Sequence, residues 1–264
     1  ERCMTLDIRP ILDDWPHRPG EVNCRRIIGR DGEEKIQMRL DLGMLQMETK
    51  GRPDGKRPHG FESLLDYQEH RLKRHFEIHG PNDPFRLGEN DCRLLREEGM
   101  MYYHRYLATF VLEDYAAVAR DTARNLRLFD LINRYARTDE DRFALEAYRP
   151  YVIMMNTRAR ANLEMQYERY REAIEVVEAG KTAIAALYEA IAPEDEPSQS
   201  GEWSLLDDLA GEIREKIPVD PAEKLMNDLN VAIAEERYED AARLRDSLGT
   251  LREVADTDDD LGLF

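Results

Sequence analysis

The chain has 264 residues, of which 42% are hydrophobic and 35% are charged, and its formal net charge is −17. This composition is typical of a water-soluble, helix-rich chain, and the absence of a long uncharged apolar run excludes a membrane span. Three widely separated cysteines exclude a disulfide framework and a CxxC zinc knuckle. We therefore expect a cytoplasmic protein with reduced thiols, no metal, no cofactor and no membrane contact.

Nearly all of the excess negative charge lies at the end of the sequence. Residues 193–264 contain 21 acidic and 7 basic side chains. Binding to nucleic acid depends on clustered Lys and Arg that neutralise phosphates, so this part should repel a nucleic-acid backbone. Any contact with DNA would have to come from the N-terminal part.

Residues 21–48 have the pattern of a small antiparallel sheet. Apolar and polar residues alternate from Ile36 to Met44, which is the period of a strand with one buried face, and residues 22–28 form a second candidate strand. The glycines of Gly29-Arg30-Asp31-Gly32 suit a short hairpin connection. A loop rich in Gly and Pro follows at residues 51–60, and a helix is predicted after Phe61.

The rest of the sequence is predominantly helical. Apolar spacing predicts helices over residues 90–112, 115–136, 139–166, 170–191, 203–216, 221–235 and 238–254. Asp114, Thr138 with Asp141, and Asp220 supply the oxygen acceptors that helix starts favour. Residues 193–202 are too polar to collapse and are interpreted as a linker.

A short pattern recurs at three of the predicted turns. Glu113-Asp114-Tyr115, Glu168-Arg169-Tyr170 and Glu236-Arg237-Tyr238 are each followed, three residues beyond the Tyr, by a small apolar residue. A small residue at this position lets two helices approach closely. The spacing is irregular, which favours stacked helical hairpins over a regular solenoid.

These patterns predict an α+β, mainly α fold. A small N-terminal antiparallel β-hairpin or sheet precedes antiparallel helical hairpins, which resemble tetratricopeptide repeats only in general style. The expected domains are a small α+β domain at residues 1–88, a helical-hairpin domain at 89–192, an acidic linker with a short helix at 193–220, a helical hairpin at 221–254 and an acidic tail at 255–264.

The hairpin at residues 221–254 resembles the UVR motif, the short helical hairpin found in UvrB and UvrC. The resemblance rests on the order and spacing of Leu225, Leu229, Ile233, Glu236, Tyr238, Glu239, Ala241, Ala242, Leu244, Arg245, Asp246, Leu248 and Leu251. It implies a protein-interaction module; similar hairpins occur in Clp-type chaperones and in activators of protein-arginine kinases. Those activators carry CxxC zinc knuckles and UvrB carries a phosphate-binding loop, and this sequence has neither.

So short a hairpin needs a partner for its apolar stripes. Two helices of about 15 residues fall below the size at which a chain usually folds alone. The partner is the rest of this chain, a second copy or another protein, and we expect the apolar stripe to be buried against a partner hairpin while Arg245 sets specificity. The predicted partner-binding residues are Leu225, Leu229, Ile233, Tyr238, Ala241, Leu244, Arg245 and Leu248.

A second peptide signal follows the acidic run at residues 256–260. Leu261, Gly262, Leu263 and Phe264 are similar to the peptides by which bacterial polymerases and repair factors dock on the sliding clamp. That pattern normally begins with Gln, and Asp260 stands in its place here. The alternative is a tail that folds its Phe back on its own helices or has no role, since short motifs match easily by chance.

The sequence offers little chemistry, and we expect no catalytic residues. His70, His75 and His79 are spaced by five and four residues, which does not place all three on one helix face. A cluster of Arg39, Asp41, Gln46 and Glu48 is predicted on the strands. The loop at residues 51–60 either binds an anion through its backbone or is a turn held by an Asp side chain.

Three functions stay open at this point, and the weakest of them is an enzyme that uses the polar cluster on the strands. The first is a non-enzymatic adaptor that acts through the hairpin, linked to DNA repair or to a Clp-type or kinase-type regulatory complex. The alternative is an accessory factor of nucleotide-excision repair that contacts DNA through its N-terminal domain. The possible anion or nucleic-acid contacts are Arg25, Arg26, Arg30, Arg52, Lys56 and Arg57.

Overall fold

The computed structural model describes residues 7–191, 194, 196–218 and 221–261, without the side chains of residues 221–223 and 250–261. The chain divides into two compact units, Glu1–Glu215 and Lys216–Phe264. The first unit contains a three-stranded sheet and the helices up to the unit boundary, and the second contains one helical hairpin. The expected mainly helical α+β fold is confirmed.

The N-terminal sheet is an antiparallel meander. Its strands are β1 (Asn23–Ile28), β2 (Glu34–Arg39) and β3 (Met44–Glu48), in the order β1-β2-β3. The predicted sheet at 21–48 is confirmed, but the single strand expected from Ile36 to Met44 is wrong. The backbone N–H of Leu40 donates to the carbonyl of Gly43 at 2.9 Å, and Leu42 is 89% exposed. A two-residue hairpin turn therefore separates two strands, although the alternation of apolar and polar residues continues through it in the sequence.

Eight helices of the described chain belong to the first unit. They are α1 (Arg9–Asp13), α2 (Leu64–His79), α3 (Glu89–Val111), α4 (Tyr115–Tyr135), α5 (Asp139–Phe143), α6 (Arg149–Gln166), α7 (Tyr170–Ile191) and α8 (Gly201–Lys216). The single helix predicted over 139–166 is wrong, because the α-helix stops after Phe143 and restarts at Arg149. Pro150 lies in the first turn of α6, where its missing N–H costs nothing and its ring prevents the helix from continuing backwards.

The helix α8 is part of the core rather than of a linker. Leu206, Ala210 and Ile213 are buried in one apolar cluster with Val177 and Ile184 of α7. The helix predicted at residues 203–216 is therefore confirmed, and it packs on the core. The spacing of the apolar residues in α8 places them on one helix face, and this face is buried. The acidic composition of the segment gave no indication of this buried face.

Three tight turns connect the paired helices. Glu113, Glu168 and Glu236 all have left-handed backbone conformation, with φ of 57°, 59° and 60°. In each turn the next residue donates its N–H to the carbonyl five residues back, at 2.8–2.9 Å: Asp114 to Thr109, Arg169 to Glu164, and Arg237 to Ala232. This is the Schellman arrangement, which satisfies carbonyls left free at a helix end.

The same residue then begins the following helix. The carbonyls of Asp114, Arg169 and Arg237 accept the N–H of the small apolar residue four positions on, at 3.0–3.1 Å. Those small residues, Val118, Ala173 and Ala241, are all buried. The chain thus leaves one helix and enters the next across a single left-handed residue, and the repeated turn predicted from the sequence is confirmed.

A buried ionic network attaches the sheet and the following loop to the helices α3 and α4. The guanidinium of Arg105 contacts both carboxylate oxygens of Asp121, at 2.7 and 2.9 Å, and both residues are fully buried. Arg105 also donates to the carbonyls of Glu48 and Gly51, at 3.0 and 2.8 Å. One side chain of α3 therefore fixes the end of β3 and the loop after it.

The neighbouring carboxylate of Glu98 completes this network. It accepts the backbone N–H groups of Leu64 and Leu65 at the start of α2, at 2.8 and 3.2 Å. It also pairs with Arg124 and lies 3.2 Å from Nε of Arg52. Glu98 is fully buried, so its charge depends on these partners.

We predict that Glu168→Gly stabilises the first unit by roughly 0.5–1 kcal/mol, because a left-handed conformation is costly for every residue except glycine. The free energy of unfolding is measured in urea by tryptophan fluorescence. Both tryptophans, Trp15 and Trp203, lie in the first unit. Glu175→Gly, inside α7, is the control and should destabilise by a similar amount. If both glycine variants lower the free energy of unfolding, the left-handed conformation of Glu168 is not a cost to the first unit.

We also predict different effects for two adjacent glutamates of α3. Glu98→Gln should lower the free energy of unfolding by roughly 3–5 kcal/mol, because two buried guanidinium groups lose their carboxylate. Glu97→Gln removes an exposed ion pair with Arg93 and should cost about 0–1 kcal/mol. The same urea titration measures both variants. Equal effects would show that the buried network does not hold the unit together.

Candidate functional site

The second unit is a hairpin of α9 (Pro221–Ala234) and α10 (Tyr238–Leu261). At the turn, Arg237 donates to Glu235 and to Asp240, at 2.9 and 3.0 Å, and these hydrogen bonds raise the pKa of its guanidinium. The helix predicted to end at residue 254 continues to Leu261. Gly262, Leu263 and Phe264 of the clamp-like peptide lie outside the described residues, as does the side chain of Leu261.

One face of each helix forms the inner seam of the hairpin. Ala232, Ala241 and Leu248 are buried, and Leu225, Leu229 and Leu244 are half-buried. Within each helix these residues are spaced by three or four positions and share a face. The two alanines lie next to the turn, where small side chains allow the closest approach. The predicted partner-binding residues of this group, namely Leu225, Leu229, Ala241, Leu244 and Leu248, thus belong to the seam.

One side of the hairpin is a charged groove. A cavity of about 350 Å³ is lined by Asp228, Val231, Arg237, Asp240, Arg243 and Leu244. Three of the charged side chains in this groove pair with one another: Asp240 lies 3.0 Å from Arg237 and 4.0 Å from Arg243. The ion pairs on this side of the hairpin therefore form within the hairpin itself.

The opposite side of the hairpin is apolar and exposed. Since Val231 and Asp240 face the groove, helical periodicity places a different set of residues on the other side. Met226, Ile233 and Tyr238 of this set are 37%, 51% and 69% exposed. We call this surface the open side; its residues are Met226, Ile233, Tyr238, Ala242 and Arg245.

The sequence identified only part of the open side. Ile233, Tyr238 and Arg245 were predicted as partner-binding residues, and the structure leaves all three exposed. Met226 and Ala242 were missed, because both helices carry apolar residues on two adjacent faces and spacing alone does not separate the seam from the open side. The exposure of Met226 next to a half-buried Leu225 is the signal that separates them.

The six basic residues proposed for anion or nucleic-acid contact do not share one surface. Arg25 and Arg26 are neighbours in β1 and point to opposite faces of the sheet. Arg25 lies over the ring of Trp15 at 4.2 Å, whereas Arg26 pairs with Glu34 and Asp114, at 2.8 and 2.9 Å. The side chain of the third, Arg52, is largely buried against Glu98; the other three, Arg30, Lys56 and Arg57, are exposed.

The loop after β3 is a turn held by its aspartate. Oδ1 of Asp54 accepts the N–H of Lys56 at 3.0 Å, and the N–H of Gly55 donates to the carbonyl of Arg52 at 2.9 Å. The turn interpretation is thus confirmed, and the side chains of Asp54 and Arg52 lie 3.4 Å apart. The loop backbone is engaged with itself.

The polar residues of the strands pair internally. Glu48 lies 2.5 Å from Nζ of Lys35, Gln46 accepts from Gln37 at 3.0 Å, and Arg39 donates to the carbonyl of Trp15 at 2.8 Å. These contacts hold the sheet and the N-terminal segment together.

Other predicted sites also have structural contacts. His75 lies 2.7 Å from Asp83, and its ring packs 4.9 Å from that of His79. In the described part of the chain, no group of three or more His, Cys, Asp or Glu residues is arranged to hold a metal ion, and no helix is long and apolar enough to cross a membrane. Burial raises the pKa of the Cys24 and Cys92 thiols to about 11.

Comparison with known proteins identifies the hairpin. Neither the curated proteins nor the solved structures contain a match to the chain. The model of the UVR family, described as the UvrB/uvrC motif, matches residues 221–254. This range covers α9, the left-handed turn at Glu236 and the first part of α10. The segment that forms the second unit therefore carries a UVR motif.

Proposed function

We propose that this protein is a non-enzymatic adaptor whose UVR hairpin joins it to another protein through the open side. The observation that carries the proposal is the exposure of Met226, Ile233 and Tyr238 on one side of the hairpin. Apolar groups gathered on one surface mark association sites. The UVR motif supports the same conclusion, since UVR hairpins act as protein-interaction modules.

Pairing with a second hairpin accounts for the energetics of this surface. Burial of apolar area stabilises a complex by about 25 cal/mol per Å². The open side supplies such area, and the half-buried leucines of the seam become fully buried when further helices cover them. Two hairpins packed as a four-helix bundle would bury both the open side and the leucines of the seam.

Charge at the edge of the open side favours specificity. Arg245 is exposed on this side and lies 3.3 Å from Asp246. An exposed pair of this kind adds little stability, but a guanidinium at the rim of an interface selects a carboxylate on the partner. We place the partner in a DNA-repair complex or in a Clp-type or kinase-type regulatory complex, as the distribution of UVR hairpins supports.

We predict that Met226→Glu with Ile233→Glu abolishes the partner complex, because two carboxylates then lie in a surface that must lose its water. The measurement is quantitative affinity capture with the full chain, together with sedimentation velocity to detect a second copy. Truncation of Leu229 or Leu244 also loosens the seam, so the two exposed positions give the clearer result.

The matched control is Ile78→Glu on α2. Ile78 is 63% exposed and lies outside the hairpin, so this variant should keep every partner and the same sedimentation coefficient. Circular dichroism checks that the helix content of both variants is unchanged. If the double variant, Met226→Glu with Ile233→Glu, captures the same proteins and sediments like the unmodified chain, the proposal is contradicted.

A further inference from the structure

The first unit contains a cavity of about 510 Å³ in which tyrosines predominate. Its walls come from α3, α4, α6, the short turn before α6, and the start of α8, so five parts of the unit contribute to its lining. Four of the lining residues are Tyr103, Tyr106, Tyr148 and Tyr151. A cavity of roughly 300–1,000 Å³ is of the size that holds an entire small molecule.

The aromatic rings of this wall meet at angles that suit a cage. The ring centroids of Tyr103 and Tyr106 lie 5.4 Å apart with planes at 87°, and those of Tyr103 and Tyr151 lie 6.4 Å apart at 54°. Phe129 adds a fifth ring to the lining. Rings set at such angles present negatively polarised faces in several directions, which is how aromatic cages hold an organic cation.

The tyrosine hydroxyls are available to a ligand. Among the described residues, none of the four hydroxyls takes part in a hydrogen bond. Burial raises the pKa of Tyr106 and of Tyr151, so both phenols stay neutral at physiological pH. Neutral phenols offer hydroxyl oxygens to a bound molecule without a competing negative charge.

Two charged side chains, Arg96 and Glu202, line the cavity. Arg96 lines the cavity, but its guanidinium lies 2.5 Å from the buried carboxylate of Asp141, which neutralises it. Glu202, at the start of α8, also lines the cavity and has no ion-pair partner in the described part of the chain. One unpaired carboxylate beside several aromatic rings complements a positive charge.

A glycine in the middle of α3 keeps the cavity open. Gly99 lines the cavity, although glycine within a helix costs about 1 kcal/mol relative to alanine. Its neighbours do not require it: a Cβ atom there would meet the side chains of Leu128 and Asn125 at 3.8–3.9 Å, an ordinary contact. The missing side chain therefore creates space in the cavity rather than close helix packing.

We propose that this cavity binds a small organic cation with an apolar body, of the quaternary ammonium class. The tyrosine rings and Glu202 hold the cationic head, and the remaining volume holds the body. The cavity is much larger than an ammonium group alone, which favours a free small molecule over a single side chain of another protein. This ligand is independent of the partner proposed for the UVR hairpin.

The test uses the full chain and three probes of similar size. Benzyltrimethylammonium carries the cation, neopentylbenzene is its neutral isostere, and benzenesulfonate carries a negative charge. Ligand-observed nuclear magnetic resonance and calorimetry measure the dissociation constants. We expect the cation to bind with one-to-one stoichiometry, roughly tenfold or more tightly than the neutral isostere, and benzenesulfonate not to bind.

Three variants localise the binding. Glu202→Gln should weaken the cation about fivefold, as expected for loss of one partly exposed charge partner. Gly99→Leu should abolish binding by filling the cavity, and circular dichroism checks that this variant is folded. Tyr148→Ala should weaken binding, whereas Tyr167→Ala, a similarly exposed tyrosine outside the cavity, should leave it unchanged.

Each other outcome overturns the proposal. Equal affinity for the neutral isostere would show an apolar cavity without preference for a cation. Tighter binding of benzenesulfonate would show that Arg96 dominates the site. No binding of the cation at millimolar concentration, or binding unaffected by Gly99→Leu in a folded protein, would show that the cavity is not its site.

Discussion

The left-handed glutamate between paired helices is the constraint on which the helical architecture depends. Glu113, Glu168 and Glu236 each reverse the chain at one residue, and in each case the following residue both closes the first helix and begins the second. So short a turn forces the two helices together immediately. A small buried residue must then follow at a fixed distance, and Val118, Ala173 and Ala241 occupy that position. The same backbone solution thus builds hairpins in both compact units.

The two units use this hairpin under different conditions. In the first unit, the helices that it pairs are covered by further helices, and the fully buried carboxylates of Glu98 and Asp121 bind the sheet and loop to them. In the second unit, Ile233 and Tyr238 stay exposed within a hairpin of only two helices. Since so small a unit has little core of its own, we propose that an external helix surface completes it. This difference supports an interaction role for the second unit.

The sequence predicted the features that depend on local pattern. The sheet at residues 21–48, most helix boundaries, the repeated turn and the UVR hairpin all follow from spacing, capping residues and turn chemistry. It could not predict features that depend on three-dimensional neighbours. The alternation around Leu40 continues through a tight turn, the acidic composition of 193–220 conceals the buried face of α8, and seam and open side differ only in what covers them. The cavity beside Gly99 depends on five elements that lie far apart in the sequence.

The most direct measurement of the central claim is hydroxyl-radical footprinting of the open side, inside cells and in dilute purified protein. Tyr238 and Tyr167 are both 69% exposed, so the second is an internal reference for the first. If the open side binds a partner, oxidation of Tyr238 and Met226 falls inside cells relative to the purified protein, while that of Tyr167 stays the same. Equal oxidation of Tyr238 and Met226 under both conditions would contradict the account.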